Sequence, residues 1–124
     1  MKYFRIEEAE ALIPELEKIY AQAAGIAKNA QEKARMVKKL EEAGGNEPEL
    51  AIQRGQLHFL ANEIAALMQK VADFGAVPKG LEPALVDFPH RLKNRDVFLC
   101  WKLGEKKISW YHGIEEGFSG RKSL

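Results

Sequence analysis

The sequence predicts an α+β domain, a long antiparallel helical hairpin packed on a three-stranded antiparallel β-sheet and followed by a Gly-Phe-x-Gly-Arg tail. Three observations carry this. Apolar residues recur at steps of three and four from Glu7 to Phe74, the spacing of one helix face. A Gly-Gly-Asn-Glu-Pro cluster at 44–48 interrupts that pattern once. Beyond Gly75 the period shortens into apolar, aromatic-rich runs separated by turn residues.

The first helical segment spans 7–43. Ala9, Ile13, Leu16, Tyr20, Ala23, Ala27, Ala30, Ala34 and Val37 form a heptad seam. Pro14 cannot donate to the carbonyl of Glu10, so a short helix over Glu7–Leu12 should end there. The long helix then restarts with Pro14 in its first turn. Gly44 suits the left-handed position that closes a helix. Asn46 is an N-cap, with Glu49 three residues later as in a capping box. The second helix spans 47–74 on Leu50, Leu57, Leu60, Ile64, Leu67, Val71 and Phe74, and Gly75 caps it. A short connection makes the two helices antiparallel.

Val77–Pro83 reads as a proline-rich crossing segment. Strands are expected at Ala84–Phe88, Asp96–Leu103 and Lys107–His112, so the sheet occupies 84–112 and the tail 113–124. A tight turn at Gly104-Glu105-Lys106 would pair Leu103 with Ile108. That register sets Trp101 opposite Trp110 and Leu99 opposite His112. Val97, Leu99, Trp101, Leu103, Ile108, Trp110 and His112 would then form the face that covers the helices.

With 124 residues, 46% of them hydrophobic and 30% charged, the chain is expected to form a single domain over 1–124. The net charge of +1 supplies no field for a polyanion or a membrane surface. Residues 79–124 hold nine Lys/Arg against six Asp/Glu, and the rest ten against twelve, an imbalance too small to imply nucleic acid. The one cysteine, Cys100, cannot form an intramolecular disulfide and suits a reducing compartment. No signal-like or membrane-length apolar run is present, so a cytoplasmic location is expected.

Several of these segments also resemble a known family. Phe4, Glu7, Glu8, Ala9, Leu12 and Pro14 match its opening motif. Leu85-Val86-Asp87-Phe88-Pro89, Leu99-Cys100-Trp101, Gly104-Glu105, His112, Gly117-Phe118, Gly120-Arg121 and Leu124 match its C-terminal motifs. The chain thus resembles the bacterial and archaeal domain-of-unknown-function family 2203. Ala84, Tyr111 and Arg5 depart from its usual glycine, tryptophan and threonine. The resemblance implies a fold and a compartment; it implies no reaction.

Five residues are candidates for a ligand pocket: Asp87, Trp101, Trp110, His112 and Arg121. His112 closes a strand near Glu115 and Glu116, where it could act as a general base or a ligand. The preferred reading makes it a hydrogen-bonded residue at the core edge. Asp87 lies inside an apolar strand and needs a partner. Arg121 could supply a bidentate one, clasping the tail to the sheet, and this clasp is preferred to an anion site. A metal site could draw on Asp87, His90, Cys100 and His112, but no diagnostic spacing such as C-x-x-C is present, so no metal and no cofactor are expected. Cys100 reads as a small buried hydrophobe and His58 as a flank of the second helix. Gly117–Arg121 lacks the strand–loop–helix setting of a phosphate loop. Arg91, Lys93, Arg95, Lys106 and Lys107 form a basic rim without the stripe that nucleic acid needs, so nucleic acid binding is a minor reading.

The expected role is a non-catalytic interaction or scaffolding module that self-associates through its helices as a homodimer. The alternative is a ligand-binding or enzymatic domain with a polar pocket at Asp87, His112 and Arg121, taking a small anion or a protein partner. Convergence of these polar groups on a concave pocket would favour the alternative.

Overall fold

The computed structural model describes residues 2–44 and 46–124; Gly45, in the expected interhelical turn, and Met1 lie outside the described residues. The chain is α+β, with a long helical hairpin and an antiparallel sheet. It divides into two compact units, Met1–Tyr20 with Gln69–Leu124, and Ala21–Met68. Among the described residues no helix is long and apolar enough to cross a membrane.

Helix α1 covers Ile6–Ala11 and α2 covers Ile13–Glu42. The break falls where Pro14 removes a donor, as the sequence predicts. Helix α3 covers Glu47–Asp73. Gly44 takes the left-handed conformation with φ 69°. The N–H of Glu49 donates to Asn46 Oδ1 at 3.2 Å, closing the cap. Gly75, at φ 96°, ends α3.

Unit Ala21–Met68 is the hairpin proper. Ala23, Val37, Leu50 and Leu67 are buried, and the amide of buried Gln53 bridges Lys33 and Glu49 at 2.8 Å each. Arg54 pairs with Glu41. The predicted seam is only partly covered here. Ala34 is exposed, and so are Met36, Ile52 and Phe59 on neighbouring positions. Two helices in contact along one line leave much of each face in water.

The sheet in the other unit has five strands in sequential order, not three. They are β1 (Val77–Leu81), β2 (Ala84–Leu92), β3 (Arg95–Lys102), β4 (Trp110–Gly113) and β5 (Lys122–Ser123). The segment expected to cross as an irregular stretch is edge strand β1. An edge strand tolerates Pro78, and the register shifts between Pro78 and Gly80. Strand β2 continues through Pro89 because β1 has already ended there. The missing N–H therefore faces no strand, and the Pro89 carbonyl accepts the N–H of Phe4 at 2.7 Å. Lys93 and Asn94, with φ 51° and 66°, make the two-residue hairpin turn into β3.

The β3–β4 register also differs from the expectation. Phe98 pairs with His112 and Leu99 with Tyr111. The predicted pairing was Leu99 with His112, a slip of one residue. Residues 103–109 form a loop rather than a tight hairpin. Trp101 Nε1 donates to the Glu105 carbonyl at 2.9 Å, and the Lys102 N–H donates to the Glu105 carboxylate at 2.7 Å, holding that loop open. A slip of one turns every side chain of a strand to the opposite face.

Val86, Phe88, Val97, Leu99 and Trp101 form the inner face of the sheet and are buried. Phe4 meets Phe88 edge-on at 5.1 Å, and Tyr20 tilts against Trp101 at 6.1 Å. Ala9, Ile13, Leu16 and Val71 complete this core. The outer face carries Asp87, Phe98, Cys100, Trp110 and His112.

Candidate functional site

The outer face of β2, β3 and β4 assembles the site. Asp87 pairs with Cys100 across β2 and β3, so both side chains rise from the same face. His112 on β4 sits opposite Phe98 and is therefore a diagonal neighbour of Cys100. Its ring lies 5.7 Å from that of Phe98. Asp87, Cys100 and His112 are 3%, 1% and 2% exposed, and their potential ligand atoms all lie within 4.8 Å of one another.

The hydrogen bonds fix the proton inventory. His112 Nδ1 lies 2.9 Å from the Gly113 carbonyl oxygen, which can only accept, so Nδ1 carries a proton. Nε2 lies 3.1 Å from Asp87 Oδ1. Burial drives the Cys100 thiol up to about 11, the Asp87 carboxylate adds to the rise, and Arg121 opposes it.

A pocket of about 240 Å³ opens over this cluster, walled by Lys79, Leu85, Glu116, Gly117 and Phe118. Glu116 is itself held, its Oε1 accepting from the Gly113 N–H and from Lys122 Nζ, both at 2.8 Å. Those donors keep its carboxyl below the usual carboxylate range.

Of the predicted pocket residues, the structure places only Asp87 and His112 in the pocket. Arg121 is not the partner of Asp87. Its Nη2 donates to Glu105 Oε1 at 2.7 Å and to the Cys100 carbonyl at 2.9 Å. Its guanidinium stands 5.1 Å from the Trp110 ring and 4.8 Å from the Phe118 ring. The expected Asp87–Arg121 clasp is not formed; Arg121 instead ties the tail to Glu105 in the β3–β4 loop. Burial opposes the Arg121 charge, and Glu105 and the Cys100 side chain together outweigh it, holding the guanidinium above its usual value. Trp101 lies on the inner face against Tyr20, and Trp110 lies under Arg121. His90 turns away, its Nδ1 2.6 Å from the Phe4 carbonyl oxygen. Lys79, Leu85, Glu116, Gly117 and Phe118 line the pocket without having been candidates for it, and Cys100 had been considered only for a metal site. For Cys100 the signal was its place one residue before Trp101, which puts it on the Asp87 face once the β2–β3 register is known.

The cluster is not arranged for nucleophilic catalysis by cysteine. Such a site places the imidazole between thiol and carboxylate and lowers the thiol pKa. Here one ring nitrogen serves the Gly113 carbonyl, the other serves Asp87, and the thiol is raised. The arrangement can instead bind: it offers an imidazole nitrogen, a carboxylate and a sulfur to whatever enters the pocket.

Fold and site together define an α+β domain whose outer sheet face buries a carboxylate–imidazole–thiol cluster beneath a small pocket. The chain belongs to the family described as an uncharacterized conserved protein, DUF2203, which matches residues 2–124. No curated protein and no solved structure matches it.

Proposed function

We propose that this protein is a small-ligand-binding domain and that its site is the pocket over Asp87, Cys100 and His112. The observation that carries this reading is the convergence of buried polar side chains from three strands on one concave pocket. A sheet that only supported a scaffold would gain more from apolar residues at these positions. Lys79 on the pocket wall forms no ion pair among the described residues, whereas Glu116 is neutralised by Lys122. The ligand is accordingly a small molecule bearing an anionic group, with Leu85 and Phe118 meeting its apolar part. A free, buried Cys100 is in keeping with a cytoplasmic setting.

The test is a thermal-shift panel of small carboxylates and phosphates against the full chain. A ligand at about a hundred times its Kd adds about 2.7 kcal/mol. For 124 residues that raises the Tm by about 10 °C. The shift should vanish in Lys79→Ala and in His112→Gln. A panel with no responder, or a shift unchanged in both variants, overturns the reading.

A second reading concerns the hairpin. A groove of about 620 Å³ runs between Met36, Ile52, Gly55, Phe59 and Leu60, and Phe59 is 64% exposed. Apolar surface of this kind suits self-association, and a homodimer is proposed. Light scattering should give twice 14.0 kDa, and Phe59→Glu should return the chain to a monomer.

A further inference from the structure

The three buried donors on the outer sheet face carry chemistry that an organic anion alone does not explain. A carboxylate oxygen, an imidazole nitrogen and a sulfur come from three adjacent strands. They lie within 4.8 Å of one another, and each is buried. We propose that Asp87, Cys100 and His112 bind a transition-metal ion of the zinc class, with its fourth coordination position open to the pocket. This inference rests on reading the pocket as a binding site and names what the pocket holds.

Geometry supports it first. Zinc bonds of about 2.0–2.3 Å in a tetrahedron place ligand atoms roughly 3.3–3.8 Å apart. His112 Nε2 and Asp87 Oδ1, at 3.1 Å, already stand near that spacing. The Cys100 sulfur lies within 4.8 Å of both. The backbone under all three donors is paired sheet, so the positions are held before any ion arrives.

The outer hydrogen bond supports it next. A metal-bound imidazole usually donates its other ring N–H to a carbonyl or carboxylate, which fixes the tautomer and ring orientation. His112 does so, from Nδ1 to the Gly113 carbonyl at 2.9 Å. Nε2 is thereby aimed at Asp87 and Cys100. A metal ion held between Nε2 and Asp87 Oδ1 would satisfy both groups.

The donor set selects the ion. Sulfur and imidazole favour zinc, cobalt and iron(II) over magnesium and calcium, which take oxygen. No imidazole nitrogen bonds the Cys100 sulfur in this arrangement, since both ring nitrogens of His112 have other partners. A cation beside the sulfur is what converts it to a ligand. Three protein ligands leave one position, and the pocket of about 240 Å³ lies over it. Glu116 does not close that position, because its carboxylate is committed to Lys122 and the Gly113 N–H.

Cobalt(II) is the probe. The full chain, without a polyhistidine tag, is stripped with chelator, dialysed and titrated with cobalt(II), then with zinc(II). The expected result is one cobalt ion per chain, an intense thiolate-to-cobalt charge-transfer band in the near ultraviolet, and displacement of that band by zinc. Cys100→Ser should abolish the band while its circular dichroism and melt stay close to wild type. Asp87→Asn and His112→Gln should weaken binding at least about tenfold. No stoichiometric cobalt, or a band that survives in Cys100→Ser, overturns the proposal. If His112→Gln does not fold, the cobalt band of wild type against Cys100→Ser decides alone. The anion panel separates this inference from the reading beneath it. A panel response in excess chelator, with cobalt unbound, removes the metal and keeps the pocket. Bound cobalt with no panel response keeps the metal and removes the organic anion.

Discussion

The Asp87–His112 pair permits a quantitative test of how this sheet tolerates polar groups on a buried face. The perturbation is a double-mutant cycle in chelator: His112→Leu, Asp87→Val and the two combined. Both side chains of the pair are nearly inaccessible, at 3% and 4%. His112→Leu removes a hydrogen-bond partner of the buried Asp87 carboxylate. Breaking a buried pair by removing one partner costs about 3–5 kcal/mol. For 124 residues the unfolding entropy is about 0.26 kcal/mol per degree, so the Tm should fall by about 12–19 °C. The double variant replaces the pair with apolar groups of similar size on a face that already carries Phe98. Such replacements are often neutral, so the double variant should melt above His112→Leu and within about 5 °C of wild type. Urea unfolding followed by circular dichroism measures all three free energies. If the single-variant losses add in the double, the two residues act independently and the buried-pair argument fails.

Three further outcomes are expected. Tyr20 is buried, its hydroxyl has no partner among the described residues, and burial raises its pKa to about 12. A group with a raised folded pKa stabilises below its ordinary value of 10.0 and loses that contribution as pH climbs toward 12, so wild type should weaken over that range and Tyr20→Phe should not. Gly120→Ala places a Cβ 2.9 Å from Glu116 Cβ and should cost about 1–3 kcal/mol in chemical denaturation; an unchanged midpoint would mean the tail shifts freely. Arg121→Ala removes the Glu105 bond and the contact with Trp110, and should cost about 2–3 kcal/mol.

Local chemistry was enough to place the helices. The break before Ile13 follows from the one missing donor of Pro14, and the α3 start follows from Asn46 and Glu49 three residues apart. Such signals act within one turn of chain and need no tertiary partner. The hairpin at Lys93-Asn94 was equally local, yet Pro89 concealed it. Whether a proline can sit in a strand depends on whether another strand lies beside it, and that is decided by how far β1 extends.

The site depended on a coarser ambiguity with a larger consequence. A period of two is satisfied equally by either register of β4, and both gave a plausible apolar face. The loop at 103–109, held by Trp101 and Lys102 on Glu105, set the pairing one residue from the expected one. That single step moved His112 and Trp110 from the core face to the outer face and brought Tyr111 inward. It also explains the partner exchange among the charged groups, with Asp87 taking His112 and Arg121 taking Glu105. The sequence by itself determined which residues are helical and which polar groups must be satisfied. Only the tertiary structure decided which of them meet, because register is a property of two strands and the loop between them, and no single segment encodes it.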